Sequence, residues 1–210
     1  MANSPRTVSD LMTHTAVAVG SRASYKEIVT LMHRWKVSAL PVLAGEGRVI
    51  GVVSEADLLP KEENRPEGDT AAGGSPFADA AKADAVYAED LMSSPAVTVH
   101  ADAKITEAAR IMARRRVKRL PVVDGGGMLR GIISRGDLLK VFLRPDDDIA
   151  TEAGAVLAGL PAAAGIEVEA AEGVVTLRGG LDDRALVPLI ARAVRAVEGV
   201  VDIRLDLSSP

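Results

Sequence analysis

Hydrophobic residues fall along the first 140 positions in short runs whose period changes from two to about 3.6 and back, and each change marks an element. Val17 and Val19 mark a short strand. Ser24 with Glu27 is a capping-box pair, and Ile28, Leu31, Met32 and Trp35 then recur at helical spacing, which predicts a helix with those four in a buried stripe. Leu40-Pro41-Val42-Leu43 reads as a second strand, Gly45-Glu46-Gly47 as a hairpin turn and Val49 to Val53 as a third strand, after which Ser54 opens another helix. The order is β-α-β-β-α.

The same order comes twice. Asp10-Leu11-Met12 recurs as Asp90-Leu91-Met92, and Val37-x-x-Leu40-Pro41-Val42 as Val117-x-x-Leu120-Pro121-Val122. Gly51-Val-Val-Ser54-x-x-Asp57-Leu-Leu59 recurs as Gly131-Ile-Ile-Ser134-x-x-Asp137-Leu-Leu139, again at an offset of eighty. One such unit cannot cover both faces of its sheet, so the two repeats are expected to pack together about a pseudo-two-fold axis. Between them, residues 61–88 begin rich in Pro, Gly and charge and read as a flexible connector, turning helical near Asp79 to Tyr87.

From residue 145 the pattern changes. Ile149, Ala153, Val156, Leu157 and Leu160 form a helical stripe, and Ile166–Glu169 and Val174–Leu177 alternate as strands about an Ala171-Glu172-Gly173 turn. Val187, Ile190, Val194 and Val197 form a second helix, with Pro188 kinking it or lying in its first turn, and Gly199 ends it. Val201, Ile203, Leu205 and Leu207 alternate with Asp202, Arg204 and Asp206 in a half-buried final strand. The expected fold class is α+β: two β-α-β-β-α repeats at residues 1–60 and 89–144, then a small α-β-β-α-β domain at residues 145–210.

Composition narrows the chemistry. The chain has no cysteine, which excludes disulfides, thiolate metal sites and cysteine nucleophiles. Its aromatic residues are Trp35, Tyr25, Tyr87, Phe77 and Phe142, too few to build base-stacking platforms. His14, His33 and His100 lack metal-ligand spacing, no GxGxxG links a strand to a helix, and nothing assembles a Ser–His–Asp triad, so a non-enzyme is expected. Met1–Asp10 carries no signal pattern, and the longest uncharged stretch, Ala153–Ile166, is broken by glycine and Pro161; a cytoplasmic protein without membrane contact is expected. Charge is uneven: residues 104–144 hold 11 Lys/Arg against 3 Asp/Glu, and residues 145–210 hold 5 against 12. The middle segment suits an anion and the C-terminal segment repels one.

The duplicated Gly-φ-φ-Ser-x-x-Asp-Leu-Leu, where φ is β-branched, leads a strand straight into a helix. Free N–H groups and the helix dipole there would favour a phosphate, the serine could donate to it, and the aspartate could accept from ribose hydroxyls. The same Ser-x-x-Asp is also a plain capping arrangement that needs no ligand, and the two readings stand side by side.

In duplicate, the Asp-Leu-Met start, the Leu-Pro-Val strand and this closing motif resemble tandem CBS (cystathionine β-synthase-type) domains over residues 7–143. The resemblance implies a regulatory module that needs no cofactor for catalysis and senses AMP, ADP, ATP or S-adenosylmethionine in two clefts. It also implies a homodimer formed through the repeats and an unidentified protein target. Carried over, one cleft would use Ser134, Asp137, Ile132 and Arg119 with Val17, Val37 and Ser38. The other would use Ser54, Asp57 and Val52 with Val97, Val117 and Lys118. The family often carries a basic residue just before Leu-Pro-Val; Arg119 fits and Ala39 does not, so the cleft of Ser134 and Asp137 is expected to hold the more highly charged nucleotide. Gly173-Val-Val-Thr-Leu-x-Gly179 and Val197-Glu-Gly199-Val-Val-x-Ile203 resemble a BON domain over residues 146–207, which implies an interaction module; its acidity argues against an anionic bilayer. The alternatives are a ligand-free dimeric adaptor and, less favoured, a nucleic-acid binder using the Arg114–Arg119 cluster.

Overall fold

A computed structural model describes residues 7–63, 85–163, 165–181 and 183–208; most of the expected connector, with its helical turn, lies outside the described residues. The chain divides into two compact units, Met1–Arg135 and Gly136–Pro210.

In the first unit, α1 (Val8–Leu11) and β1 (Val19–Gly20) precede α2 (Tyr25–Trp35), β2 (Ala39–Ala44) and β3 (Arg48–Ser54). Two single-turn helices follow, α3 (Glu55–Leu58) and α4 (Pro60–Glu63). The second copy comprises α5 (Ala88–Leu91), β4 (Val99–His100), α6 (Ile105–Arg115), β5 (Arg119–Val123) and β6 (Leu129–Ser134). Each copy makes a three-stranded sheet in which the short first strand runs parallel to the second and the second antiparallel to the third. Both long helices end alike, Lys36 and Arg116 adopting left-handed backbone at φ 52° and 55°.

The copies are tied by backbone hydrogen bonds that repeat at the eighty-residue offset. Val8 N–H donates to Ala103 O and Ala88 N–H to Ala23 O; Thr13 and Ile132 exchange bonds, as do Ser93 and Val52. The opening segment of each copy therefore packs on the other. Ala88 and Leu91 are fully buried in one core with Ile28, Leu40, Val42 and Val53. Within α2 the Ser24 hydroxyl accepts from Glu27 N–H, and Ile28 and Met32 are buried as expected, but Trp35 is 54% exposed. The helix ends at Trp35, and the chain turns away before that position can be covered. In the β5–β6 hairpin, Met128 N–H donates to Asp124, as do Gly126 N–H and Arg130 Nε, and together they hold the Asp124 carboxyl below its usual range.

The tight crossings predict an asymmetry in stability. A methyl group on Gly131 would lie 2.6 Å from the Thr13 carbonyl oxygen, a backbone atom, whereas one on Gly51 would meet the flexible Met92 side chain. Gly131→Ala is expected to cost about 1–3 kcal/mol in urea unfolding and Gly51→Ala less. Equal or reversed costs would contradict the packing.

The second unit begins within α7 (Arg135–Leu139) and contains α8 (Asp146–Ala158), β7 (Ile166–Ala171), β8 (Val174–Gly180), α9 (Val187–Arg195) and β9 (Asp202–Ser208). Its sheet order is β7-β8-β9, with β7 antiparallel and β9 parallel to β8. Ile149, Ala153 and Leu157 of α8 and Ile190 and Val194 of α9 bury against Val175 and Leu177. Pro188 lies in the first turn of α9, where its missing N–H leaves no intrahelical bond unmade. The Asp146 carboxylate accepts from Glu172 N–H and Gly173 N–H, pinning the β7–β8 turn, and Arg144 pairs with Glu152 at 2.7 Å while donating to Glu198 O. Val201 and Leu205, expected in the apolar register of a half-buried last strand, are 63% and 42% exposed; Val201 precedes β9, and among the described residues β9 pairs only with β8.

Candidate functional site

A cavity of about 280 Å³ opens in the first unit where β3 meets the turn into α3. Its walls include Val52, Ser54 and Asp57 from the first copy and Val97, Val117 and Lys118 from the second. All six residues assigned to that cleft by sequence thus surround one space. Ser38 and Arg119, assigned to the opposite cleft, line it too. Arg116, Ser93 and Pro95 were not anticipated; Arg116 was obscured within an arginine run, and Ser93 is recognisable only once the exchange of opening segments is known.

The carboxylate is held firmly. Asp57 Oδ2 accepts from Ser54 N–H at 2.9 Å and Ser54 Oγ at 2.6 Å, and Oδ1 accepts from Ser93 Oγ at 3.3 Å. Ser54 is the N-cap of α3, so the capping reading of Ser-x-x-Asp is realised in full. The cap ties one carboxylate oxygen to the start of α3, and the other accepts from the Ser93 hydroxyl at a longer distance. The helix is a single turn, however, too short for the dipole that the sequence reading invoked.

Positive charge comes instead from the second copy. Arg119 reaches across the pseudo-two-fold axis, its guanidinium donating to Ser38 Oγ at 2.6 Å and to Ala39 O at 3.4 Å. Arg119 thus lines this cavity, although the sequence assigned it to the Ser134 cleft. Lys118 and Arg116, though exposed, line the same cavity, whereas Arg114 and Arg115 at the end of α6 are exposed and do not line it. The basic run is therefore divided between a cavity and a solvated helix end.

The remaining sequence-assigned residues do not join this cavity. Val17 and Val37 pack against the first copy's core, and Ile132 bonds through its backbone to Thr13. Ser134 lies opposite Arg119 in the β5–β6 register. Asp137 belongs to the second unit, and its Oδ1 accepts from Lys140 Nζ at 2.7 Å, an ion pair for which the first copy has Pro60 at the equivalent place. Among the described residues, no group of His, Asp and Glu side chains is arranged to hold a metal ion, and no helix is long and apolar enough to cross a membrane.

The chain matches the CBS domain family over residues 8–62 and 88–144 and the BON domain family over residues 145–208. An uncharacterized protein of Methanocaldococcus jannaschii is 28% identical over 134 residues, covering 56% of this chain and 80% of that one. The chloroplastic CBS domain-containing protein CBSX2 of Arabidopsis thaliana is 29% identical over 160 residues, covering 68% of this chain and 66% of that one. A crystal structure of CBSX2 in complex with AMP superposes with a TM-score of 0.57 at 31% identity, over 65% of this chain and 96% of that chain. A CBS domain pair bound to 5-methylthioadenosine and S-adenosyl-L-methionine, at 20% identity and a TM-score of 0.52, shows the same fold.

Proposed function

Since this chain belongs to the CBS domain family and carries a C-terminal BON domain, we propose that it is a non-catalytic regulatory protein in which the Asp57 cavity senses an adenine nucleotide and the BON domain is an interaction module. The observation that carries the reading is that an oriented carboxylate, Asp57, lines one cavity together with Arg116, Lys118 and Arg119 and with the apolar Val52, Val97 and Val117. A nucleotide has the complementary parts. Its ribose hydroxyls would donate to Asp57 Oδ1, exchanging with the Ser93 contact, its base would lie among the valines, and its phosphates would meet the cations. The AMP complex of CBSX2 supports the ligand class. S-adenosylmethionine offers a ribose but no phosphate, so three cations on one wall favour AMP, ADP or ATP over it. Such a sensor belongs where nucleotides are abundant, which favours the cytoplasm.

Thermal-shift titration with AMP, ATP and S-adenosylmethionine tests the reading. A ligand that binds only the folded state adds about 2.7 kcal/mol at a hundred times its Kd, which is several degrees in Tm for a domain of this size. AMP and ATP are expected to give that shift. No shift with any of the three would leave the ligand-free adaptor as the better account.

The protein is further proposed to be a homodimer through its CBS repeats, the exposed Trp35 indole supplying apolar surface for association. Light scattering is expected to give about twice the 21.9 kDa chain mass. A monomer mass at micromolar concentration would contradict it.

A further inference from the structure

We propose that the open edge of β9 pairs antiparallel with β9 of a second copy of this chain, joining two BON domains into one six-stranded sheet. This names a partner for the interaction module proposed above and is independent of nucleotide binding. Among the described residues β9 bonds only to β8. Ser208 O accepts from Leu181 N–H on the β8 side. The alternation of a strand then turns the N–H and C=O groups of Ile203, Leu205 and Leu207 outward. Ile203 N–H is covered by its neighbour's carboxylate, Asp202 Oδ1, at 2.8 Å. Apart from the covered Ile203 N–H, this outward row of backbone donors and acceptors, with the exposed Leu205 in its middle, is a template for another strand.

Charge selects which strand. On the polar face of the sheet, Glu167 stands opposite Arg178 and Arg178 opposite Asp206, while Glu169 stands opposite Thr176 and Thr176 opposite Arg204. Arg178 bonds to Glu169 at 2.5 Å and approaches Asp206 at 3.8 Å. A two-fold pairing centred on Leu205 sets Arg204 opposite Asp206 of the other copy and Asp206 opposite its Arg204, continuing the alternation of sign across the junction. The same register makes Leu205 meet Leu205 and Ile203 meet Leu207, the outward-bonding positions. Centring the pair on Arg204 instead would set arginine on arginine and Asp202 on Asp206. The other edge, β7, presents Glu167 and Glu169 with no cation, so β7–β7 pairing is repelled, and antiparallel β7–β9 pairing that sets one of the two opposite Arg204 sets the other opposite Asp202 or Asp206. A groove of about 240 Å³ lined by Leu181, Val187, Leu205 and Leu207 borders β9 and can receive the partner's leucine.

The absence of cysteine makes the geometry directly measurable in the full chain. In this register the two copies of residue 205 have Cα atoms about 5.5 Å apart, within disulfide reach. Without nucleotide, the L205C protein is expected to cross-link under mild oxidation at least about tenfold faster than L189C, which carries its thiol at a somewhat more exposed site on α9. Adding R204E or D206R to L205C sets like charges opposite at two positions and is expected to slow cross-linking about tenfold. An equimolar mixture of the two charge variants, one of them tagged, restores both opposite pairs and is expected to recover the rate as a hybrid dimer. Cross-linking at L205C no faster than at L189C, or unchanged by R204E and D206R, or a mixture as slow as its components, overturns the pairing. D57N should leave all these rates unchanged, which separates this result from that of the nucleotide cavity.

Discussion

Replacing Asp57 is expected to remove nucleotide binding, while replacing Asp137 leaves it intact. Asp57 carries two roles, and the substitution must separate them. Its Oδ2 caps α3 through Ser54 N–H and Ser54 Oγ, so Asp57→Ala also loses a cap at about 1 kcal/mol of stability. Asp57→Asn keeps one carbonyl acceptor for the cap and removes the charge and the second acceptor that a ribose would use. A lost hydrogen bond to a charged group is worth about 1.5–3 kcal/mol, or roughly ten- to a hundred-fold in affinity. Asp137 stands differently despite its identical motif: its Oδ1 is tied to Lys140 at 2.7 Å. A ribose there would have to displace an ion pair; at Asp57 Oδ1 it would take the place of the Ser93 hydroxyl, which donates at 3.3 Å. Calorimetry with AMP on Asp57→Asn and Asp137→Asn is therefore expected to show loss in the first and near-native affinity in the second. Binding that survives the first and vanishes in the second would place the site in the other cleft, the one favoured by sequence alone.

The contrast between the two copies of the motif shows where sequence reasoning stopped. The eighty-residue offset made the copies, their strands and their helix starts legible, because local propensity and periodicity decide those features. The capping box at Ser54 was legible for the same reason: donor and acceptor lie three residues apart. Arg119 was identified as a phosphate ligand, but its direction depends on Ser38 and Ala39 O, partners eighty positions away. The exchange of opening segments was equally hidden, since a pattern that makes α5 amphipathic does not say which copy buries Ala88 and Leu91. Trp35 and Leu205 fit their periodic stripes and are exposed nonetheless, the first at a helix end and the second on a sheet edge. Periodicity reports which face an element would bury; it cannot report whether a neighbour arrives to cover it.

Arg119→Ala is expected to weaken AMP and ATP roughly ten- to a hundred-fold and to leave adenosine nearly unchanged. The guanidinium presents a rigid fork of donors that matches two phosphate oxygens, and it is held at the cavity wall by Ser38 Oγ at 2.6 Å. Adenosine has the same base and ribose but no phosphate, so it draws on Asp57 and the valines alone. Arg119→Lys keeps the charge but loses the fork and the reach to Ser38, and its affinity for ATP should fall between wild type and alanine. Raising ionic strength should narrow the gap between wild type and Arg119→Ala for ATP, because the wall is open to solvent and its charges are screened. If Arg119→Ala lowers adenosine and ATP affinity by the same factor, the arginine only braces Ser38 and the turn into β2, and the phosphate must lie against Arg116 and Lys118 instead.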